Sequence, residues 1–199
     1  MASSHDGRGV DLATLLEANR LHLAEVDAIV ETMRQQAMST GHAFACREGC
    51  AACCRFWVEC GPLEALGIAH AIRQDGLDSP GLRHRLRRAA ELMERHGHEG
   101  YWGLARFCPL LSEDKLCLAY DARPAACRVH HAITSPALCE RAAGMRLEDP
   151  ALHEGHAEFC HDATSYLPDW PAFGPLPRMV LRAMDCGIMD PSSSRAVGR

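Results

Sequence analysis

The stretch CREGCAACC, from Cys46 to Cys54, places four thiols within nine residues, and further cysteines follow at turn-associated positions. Thiolates are ligands for zinc and iron, and C-x3-C and C-x2-C spacings allow a short segment to present two thiolates to one centre. The sequence therefore predicts a metal site with seven candidate ligands: Cys46, Cys50, Cys53, Cys54, Cys108, Cys117 and Cys127.

The chain has 11 cysteines in 199 residues, an odd number. Its first residues, MASSHDGRGVDLATLL, lack the basic start and apolar core of a secretion signal, so we expect a cytoplasmic location. Thiols stay reduced in that compartment, where disulfides are rare. The cysteines therefore indicate metal ligation or redox chemistry and not a disulfide framework.

The local structure of residues 46–54 decides how these thiols could share a metal. In a helix all four would lie on one face, as in a buried stripe, but Cys46 and Cys54 would be about 12 Å apart. Two thiolates on one ion lie within about 4 Å of each other. Either the segment is a loop, which Gly49 would permit, or its thiols are divided between ligand sets that downstream cysteines complete.

Seven thiols exceed the four of a closed tetrahedral site, and two arrangements fit the excess. One is a single four-thiolate centre with cysteines beside it, of which an iron-sulfur cluster is a version, and the other is a cluster of several ions. Consecutive side chains diverge in helices and strands, so Cys53 and Cys54 are expected to have different roles.

The ordered cysteine pattern resembles the YkgJ-type cysteine-cluster family, a zinc- or iron-chelating domain also found in flagellin N-methylases. The matching residues, within positions 44–130, are Cys46-x3-Cys50-x2-Cys53-Cys54, Cys108-Pro109-Leu110 and Cys117-Leu118-x-Tyr120-x2-Arg123-Pro124-x2-Cys127-Arg128. The resemblance implies a small, mainly helical domain in which the seven cysteines are the candidate ligands of zinc or iron.

The chain departs from the family pattern after Arg128, where Val129-His130-His131 replaces an aromatic residue and a proline, and His130 becomes an additional candidate ligand. Methylase activity is not implied by the shared domain alone. The chain has no glycine-rich strand-to-helix turn of the kind that holds a nucleotide in a Rossmann fold.

A long helix over residues 11–38 precedes the cysteines, with Asp11 as its N-cap. Its apolar seam, broken by one asparagine, indicates a helix laid across the cysteine domain, and a homodimer through this helix is the alternative. The seam consists of Leu12, Leu16, Asn19, Leu23, Val26, Val30, Met33 and Ala37, while Leu15, Leu21 and Ile29 lie outside it.

The remaining pattern predicts a mainly α fold with a short hairpin or irregular cysteine-rich core organised around metal. We expect one domain over residues 1–199: the helix, a core at 44–130, an irregular or helical extension at 131–190 and a flexible tail at 191–199. Helices are predicted at 62–73, from Pro80 to near Gly97, from Pro124, at 137–143 and at 177–184, and a hairpin at 107–120.

Other charged and metal-ligating residues have simpler explanations. His153, His156, Cys160 and His161 lie in a stretch that Gly155 interrupts, which favours a polar surface over a metal site. Arg123 and Arg128 flank Cys127, and their charges would offset those of clustered thiolates. The net charge of −5, and the absence of any long apolar run, indicate no nucleic-acid or membrane partner.

Three functional hypotheses follow. The first is a metal-binding protein that holds zinc or iron, in the latter case with an iron-sulfur cluster as one form. The second is a metal-dependent enzyme of redox or group-transfer chemistry, which requires an open metal position or a pocket beside the metal. The third is a metal-free thiol redox sensor that cycles Cys53, Cys54 and a partner between thiol and disulfide.

Overall fold

The computed structural model of the protein describes residues 10–42, 46, 49–104, 106–131 and 150–189. Within these ranges it contains six α-helices and a two-stranded antiparallel sheet, which confirms the mainly α class. The helices are α1 (Leu12–Ser39), α2 (Pro62–Gln74), α3 (Pro80–Gly103), α4 (Ala125–Arg128), α5 (Pro150–Ala163) and α6 (Leu176–Asp185). The strands are β1 (Glu59–Cys60) and β2 (Gly174–Pro175), and short 3₁₀ helices span Ala52–Arg55 and Gly187–Met189.

Helix α1 lies across α2, α4 and α5. It begins as predicted, because the Asp11 carboxylate accepts a hydrogen bond from the Thr14 N–H at 2.7 Å. The face toward the protein buries four of the eight seam residues, namely Asn19, Leu23, Val26 and Ala37, together with Leu15 from outside the seam. The seam thus packs against the protein's own core.

Helix α2 forms the centre of the core, α6 packs beside it, and α3 packs against α6. It begins at Gly61-Pro62, as predicted, because a proline at the first helical position sacrifices no helical hydrogen bond. Leu66, Ile68 and Ile72 of α2 are fully buried. Apolar burial of this kind is the main source of stability for such a helix.

The C-terminal region is built into the same core. Strand β1 pairs with β2 with Cys60 opposite Gly174, and the Leu176 N–H donates to the Val58 carbonyl at 2.9 Å. Val180 of α6 is fully buried in the cluster that contains α2. The helix predicted at 177–184 is confirmed, whereas the one predicted at 137–143 lies outside the described residues.

Two predicted element boundaries differ from the structure. Helix α5 runs unbroken through Gly155, so the prediction that glycine interrupts this region was wrong. Helix α3 leaves helical geometry at Gly97, where an end was predicted, and then resumes as far as Gly103.

The predicted hairpin is a narrow loop closed by one antiparallel bridge between Leu111 and Cys117.

Candidate metal centre

The first cysteine segment is a turn followed by a 3₁₀ helix over its described residues. Gly49 has φ of +75°, a backbone conformation that side-chain-bearing residues rarely adopt. Cys53 and Cys54 follow in the 3₁₀ helix Ala52–Arg55. The described residues of this segment therefore do not form one straight helix. Whether its thiols share one ion or are divided between ligand sets stays a prediction.

Two other segments bring cysteines to Cys53. The Cys108 N–H donates to the Cys54 carbonyl at 2.6 Å, which fixes the start of the narrow loop beside the 3₁₀ helix. The bridge between Leu111 and Cys117 closes that loop and brings its second arm back. Cys127 follows Pro124 in α4, whose single turn begins just after the proline, as predicted.

Electrostatic interactions link four thiols, which we call the four-thiol group: Cys53, Cys108, Cys117 and Cys127. Their sulfur atoms do not all lie within 4.8 Å of one another, a spacing that, among the described residues, the donor atoms of Glu64, His156 and Cys160 have. Every pair among them interacts electrostatically, since each ionised thiol raises the pKa of its neighbours. The group draws on three separate segments of the chain. It thereby contains one thiol from the first cysteine stretch and all three predicted downstream ligands.

Burial sets the protonation of these thiols. It is the main cause that raises the pKa of Cys117 and Cys127, and it raises the pKa of Cys108 to about 12. The pKa of Cys53 is raised first by a hydrogen bond with Cys54 and then by burial. The adjacent thiols therefore interact in the 3₁₀ turn. The expectation that Cys53 and Cys54 have different roles stays a prediction.

The two flanking arginines have different roles. The positive charge of Arg123 lowers the pKa of Cys53, Cys117 and Cys127 against the effect of burial. The guanidinium of Arg128 is buried and donates to the Asp27 carboxylate of α1 at 2.5 Å and to the Arg123 carbonyl at 2.8 Å. Arg123 thus offsets thiolate charge, while Arg128 ties α4 to α1.

A second group of metal-ligating side chains lies between α2 and α5. Glu64, His156 and Cys160 each offer a donor atom, and these atoms all lie within 4.8 Å of one another. The surface prediction was wrong for His156, because unbroken α5 places His156 and Cys160, four residues apart, on one inward face. His153 and His161, on the other faces of α5, are exposed as predicted.

Backbone groups hold Glu64 in this second group. The Gly61 N–H donates to Glu64 Oε2 at 2.7 Å, and the Ala125 N–H donates to Oε1 at 2.6 Å. Burial raises the pKa of Glu64 to about 7 and lowers that of His156 to about 4. Sequence reasoning missed Glu64 because its position, third in a helix after a capping glycine, is also that of an ordinary capping carboxylate.

Comparison with known families shows to which family the chain belongs. Residues 45–152, more than half of the chain, match the model of the CxxCxxCC family, described as "Putative zinc- or iron-chelating domain". The chain belongs to this family. No curated protein and no solved structure matches the chain. Within the CxxCxxCC match lie all seven predicted cysteine ligands and Glu64, whereas His156 and Cys160 lie beyond it.

The remaining predicted ligands of the CxxCxxCC domain differ in burial and contacts. Cys54 is half-buried beside Cys53, Cys50 is half-buried, and Cys46 is exposed. The His130 ring packs against Phe56, just after the 3₁₀ helix, with ring centres 4.6 Å apart. These residues stay candidate ligands.

A cavity of about 500 Å³ reaches the four-thiol group at Cys108. Tyr101 and Phe107 contribute apolar walls, and Glu113 is its acidic residue. Its basic lining residues are Arg85, Arg88, Arg106 and Lys115. The cavity therefore combines access to a cysteine with a surplus of positive charge. None of the helices in the described part of the chain has the length and apolar character needed to cross a membrane.

Proposed function

We propose that the protein binds zinc or iron through the four-thiol group, with folding of the cysteine core coupled to the metal. The observation that carries the proposal is that separate segments of the chain converge here: the Cys108 N–H donates to the Cys54 carbonyl, the Leu111–Cys117 bridge returns Cys117, and all four thiols interact electrostatically. Four thiolates complete the coordination of a structural zinc ion or an iron-sulfur cluster. Membership of a family described as chelating these metals supports the same function.

The other three predicted ligands, Cys46, Cys50 and Cys54, are neighbours of the centre in this proposal. Cys54 lies in hydrogen-bond reach of Cys53, so it is placed to exchange with that ligand or to hold a neighbouring ion. Cys46 precedes the turn at Gly49 and is exposed, whereas Cys50 follows the turn and is half-buried. A cluster of more than one ion would recruit these thiols, whereas a single-ion centre would leave them as neighbours.

The thiol chemistry opposes the metal-free redox sensor. Reactive cysteines have a lowered pKa and are partly exposed, whereas buried cysteines with a raised pKa are inert. Burial raises the pKa of Cys108, Cys117 and Cys127, and the hydrogen bond that the Cys53 thiol donates to Cys54 raises that of Cys53. A bound cation reverses this effect, because a coordinating thiol is deprotonated by the metal.

A metal-dependent enzyme is the second candidate, and the basic cavity at Cys108 favours it. A substrate in this cavity would lie beside the metal centre, and the surplus of arginine and lysine side chains suits an anionic compound. Arg88→Glu, at the cavity wall, would weaken binding of an anionic probe such as inorganic phosphate. Arg87→Glu, at an exposed position of the same helix, is its matched control.

Metal analysis of cysteine variants tests the proposed function. The full chain, purified without oxygen, is assayed for zinc, iron and acid-labile sulfide. Light absorption at about 400 nm indicates an iron-sulfur cluster. We expect Cys53→Ser, Cys108→Ser, Cys117→Ser and Cys127→Ser each to lose the bound metal. Each variant removes one thiolate from a centre that needs about four.

Cys186→Ser is the matched control. Cys186 is half-buried at the end of α6 and lies outside the four-thiol group, so this variant should keep the metal content of the parent protein. Metal-free protein that stays folded and loses thiols reversibly on oxidation would contradict metal binding and support the redox sensor.

A further inference from the structure

The side chains of Glu64, His156 and Cys160 converge where α5 packs against the start of α2. His156 Nε2 lies 3.6 Å from Glu64 Oε2 and 3.6 Å from Cys160 Sγ. Glu64 and Cys160 are fully buried, and 13% of the His156 side chain is exposed. Three different donor types therefore face one another inside the protein.

The His156–Glu64 separation fits two ligands of one ion better than a hydrogen bond, and the His156–Cys160 separation fits either. A nitrogen-oxygen hydrogen bond spans about 2.7–3.2 Å, so the His156–Glu64 distance of 3.6 Å is too long for one. Around a tetrahedral zinc ion, bond lengths of about 2.0–2.3 Å place a nitrogen about 3.4 Å from an oxygen and about 3.6 Å from a sulfur. The observed distances are close to both values.

His22 of α1 orients the His156 ring. Its Nε2 lies 2.9 Å from His156 Nδ1, on the side of the ring away from Nε2, and its ring stacks on Phe159. When Nδ1 of neutral His156 donates this hydrogen bond, the lone pair of Nε2 is directed at the other two donors. A metal-binding histidine is commonly fixed by such a hydrogen bond from its second ring nitrogen.

The surrounding backbone leaves Glu64 and Cys160 each with a donor atom that can bind a metal ion. Each carboxylate oxygen of Glu64 accepts one backbone N–H, which leaves a further lone pair on Oε2. Gly61 makes room for the thiol, because a Cβ at this position would lie 2.4 Å from Cys160 Sγ. The glycine that caps α2 therefore also admits Cys160 to the group.

We propose that Glu64, His156 and Cys160 bind a second divalent metal ion of the zinc class, separate from the metal of the four-thiol group. The ion is held by Glu64 Oε2, His156 Nε2 and the Cys160 thiolate, and a water molecule completes the tetrahedron. Mixed nitrogen, oxygen and sulfur donors suit zinc, and three protein ligands with one water are the composition of catalytic zinc sites. On binding, the Cys160 thiol releases its proton to solvent.

Glu64 also connects the two groups. Its Oε1 accepts from the N–H of Ala125, the first residue of α4, which carries Cys127. The thiol of buried Cys60 interacts electrostatically with both Cys127 and Cys160. An ion at Glu64 would thus fix the helix that presents one ligand of the proposed thiolate centre.

Zinc counting with paired histidine variants tests this second site. The full chain is reduced, loaded with Zn²⁺ and freed of loosely bound metal, and zinc per chain is measured by mass spectrometry. We expect His156→Gln to bind about one zinc ion fewer than the parent protein, because a three-ligand site loses its central donor. His153→Gln changes an exposed histidine three residues earlier on α5 and should keep the full count.

A double variant separates this site from the four-thiol group. Cys117→Ser should retain the His156-dependent ion, so Cys117→Ser with His156→Gln should bind about one ion fewer than Cys117→Ser alone. Equal zinc content in His156→Gln and His153→Gln would overturn the proposal.

Crystals decide the question if His156→Gln fails to fold, as judged by circular dichroism. Diffraction data from zinc-loaded parent protein, collected at the zinc absorption edge, should show an anomalous peak about 2.0–2.3 Å from all three donor atoms. The absence of a peak there would overturn the proposal equally.

Discussion

Residue chemistry in this protein is governed by burial of groups that ionise. The thiols of Cys108, Cys117 and Cys127 have a raised pKa mainly because the protein excludes water from them, and Arg123 opposes the effect only in part. They are consequently protonated at neutral pH until a cation replaces their protons. Metal binding and proton release are therefore linked at these residues.

Metal binding should become tighter as the pH rises from about 6 to about 8, because each ligating thiol gives up one proton and a four-thiolate centre releases about four. Calorimetric titration in two buffers of different ionisation enthalpy measures the protons released per ion. Cys186→Ser should behave as the parent protein does. An affinity that does not change over this pH range would show that thiolates are not the ligands.

The seven candidate ligands of the proposed centre could be predicted, because their spacing and residue type alone single out these cysteines. Their division into ligands and neighbours could not be predicted, since it depends on the turn at Gly49 and the contact between Cys108 and Cys54. The inward position of His156 could not be predicted, because Gly155 suggests a break in a helix that is in fact continuous. Glu64, which lies in a different helix, is the third donor that makes His156 and Cys160 part of a candidate metal site.

At the scale of elements, α2 organises both groups. Its N-terminal carboxylate, Glu64, accepts from its own cap and from the first residue of α4, so one side chain joins α2 to the helix of Cys127. Periodicity and capping residues predicted α1, α2 and α6 well, since local sequence determines where those helices begin. The packing of α5 against α2 joins distant parts of the chain, so the local sequence of neither helix indicates it.

Glu64→Ala should lower the free energy of unfolding of the metal-free protein by about 2–5 kcal/mol, because two buried N–H groups lose their acceptors. Urea titration measures the loss, with Gln74→Ala, an exposed position of the same helix, as control. A loss no greater than that of the control would contradict the joining role of Glu64.

The same variant has a pH signature. Burial raises the pKa of Glu64 from about 4.5 to about 7, so the folded state keeps a proton that the unfolded state releases between these values. The contribution of this protonation to stability is fully present below about pH 4.5 and is lost as the pH rises through 7. The deficit of Glu64→Ala should therefore be larger at about pH 5 than at about pH 8.

At the scale of the whole molecule, the family region and the C-terminal extension share a core. Leu66 of α2 and Val180 of α6 belong to one buried cluster, although Val180 lies outside the family match. This packing supports the proposal of a single domain. A homodimer through α1 stays a prediction, and it would have to use the exposed face that carries Leu21 and Ile29, since much of the seam is buried.

A chain that ends at residue 149 should lack a cooperative thermal transition, because α5 and α6 no longer cover the apolar face of α2. A chain that ends at Met189 retains both helices and should unfold as the full chain does. Thermal unfolding followed by circular dichroism compares the two. Cooperative unfolding of the shorter chain would show that the family region folds by itself.

X-ray absorption at the edge of the bound metal tests the central claim most directly. The His156→Gln variant is used, so that the proposed second site does not contribute to the signal. We expect the absorption edge of zinc or iron and a shell of about four sulfur atoms at about 2.3 Å from the metal. Adding Cys117→Ser to this variant should remove one sulfur atom from the shell, which would assign the shell to the four-thiol group. A shell made only of nitrogen and oxygen would contradict the proposal that the cysteine thiolates hold the metal.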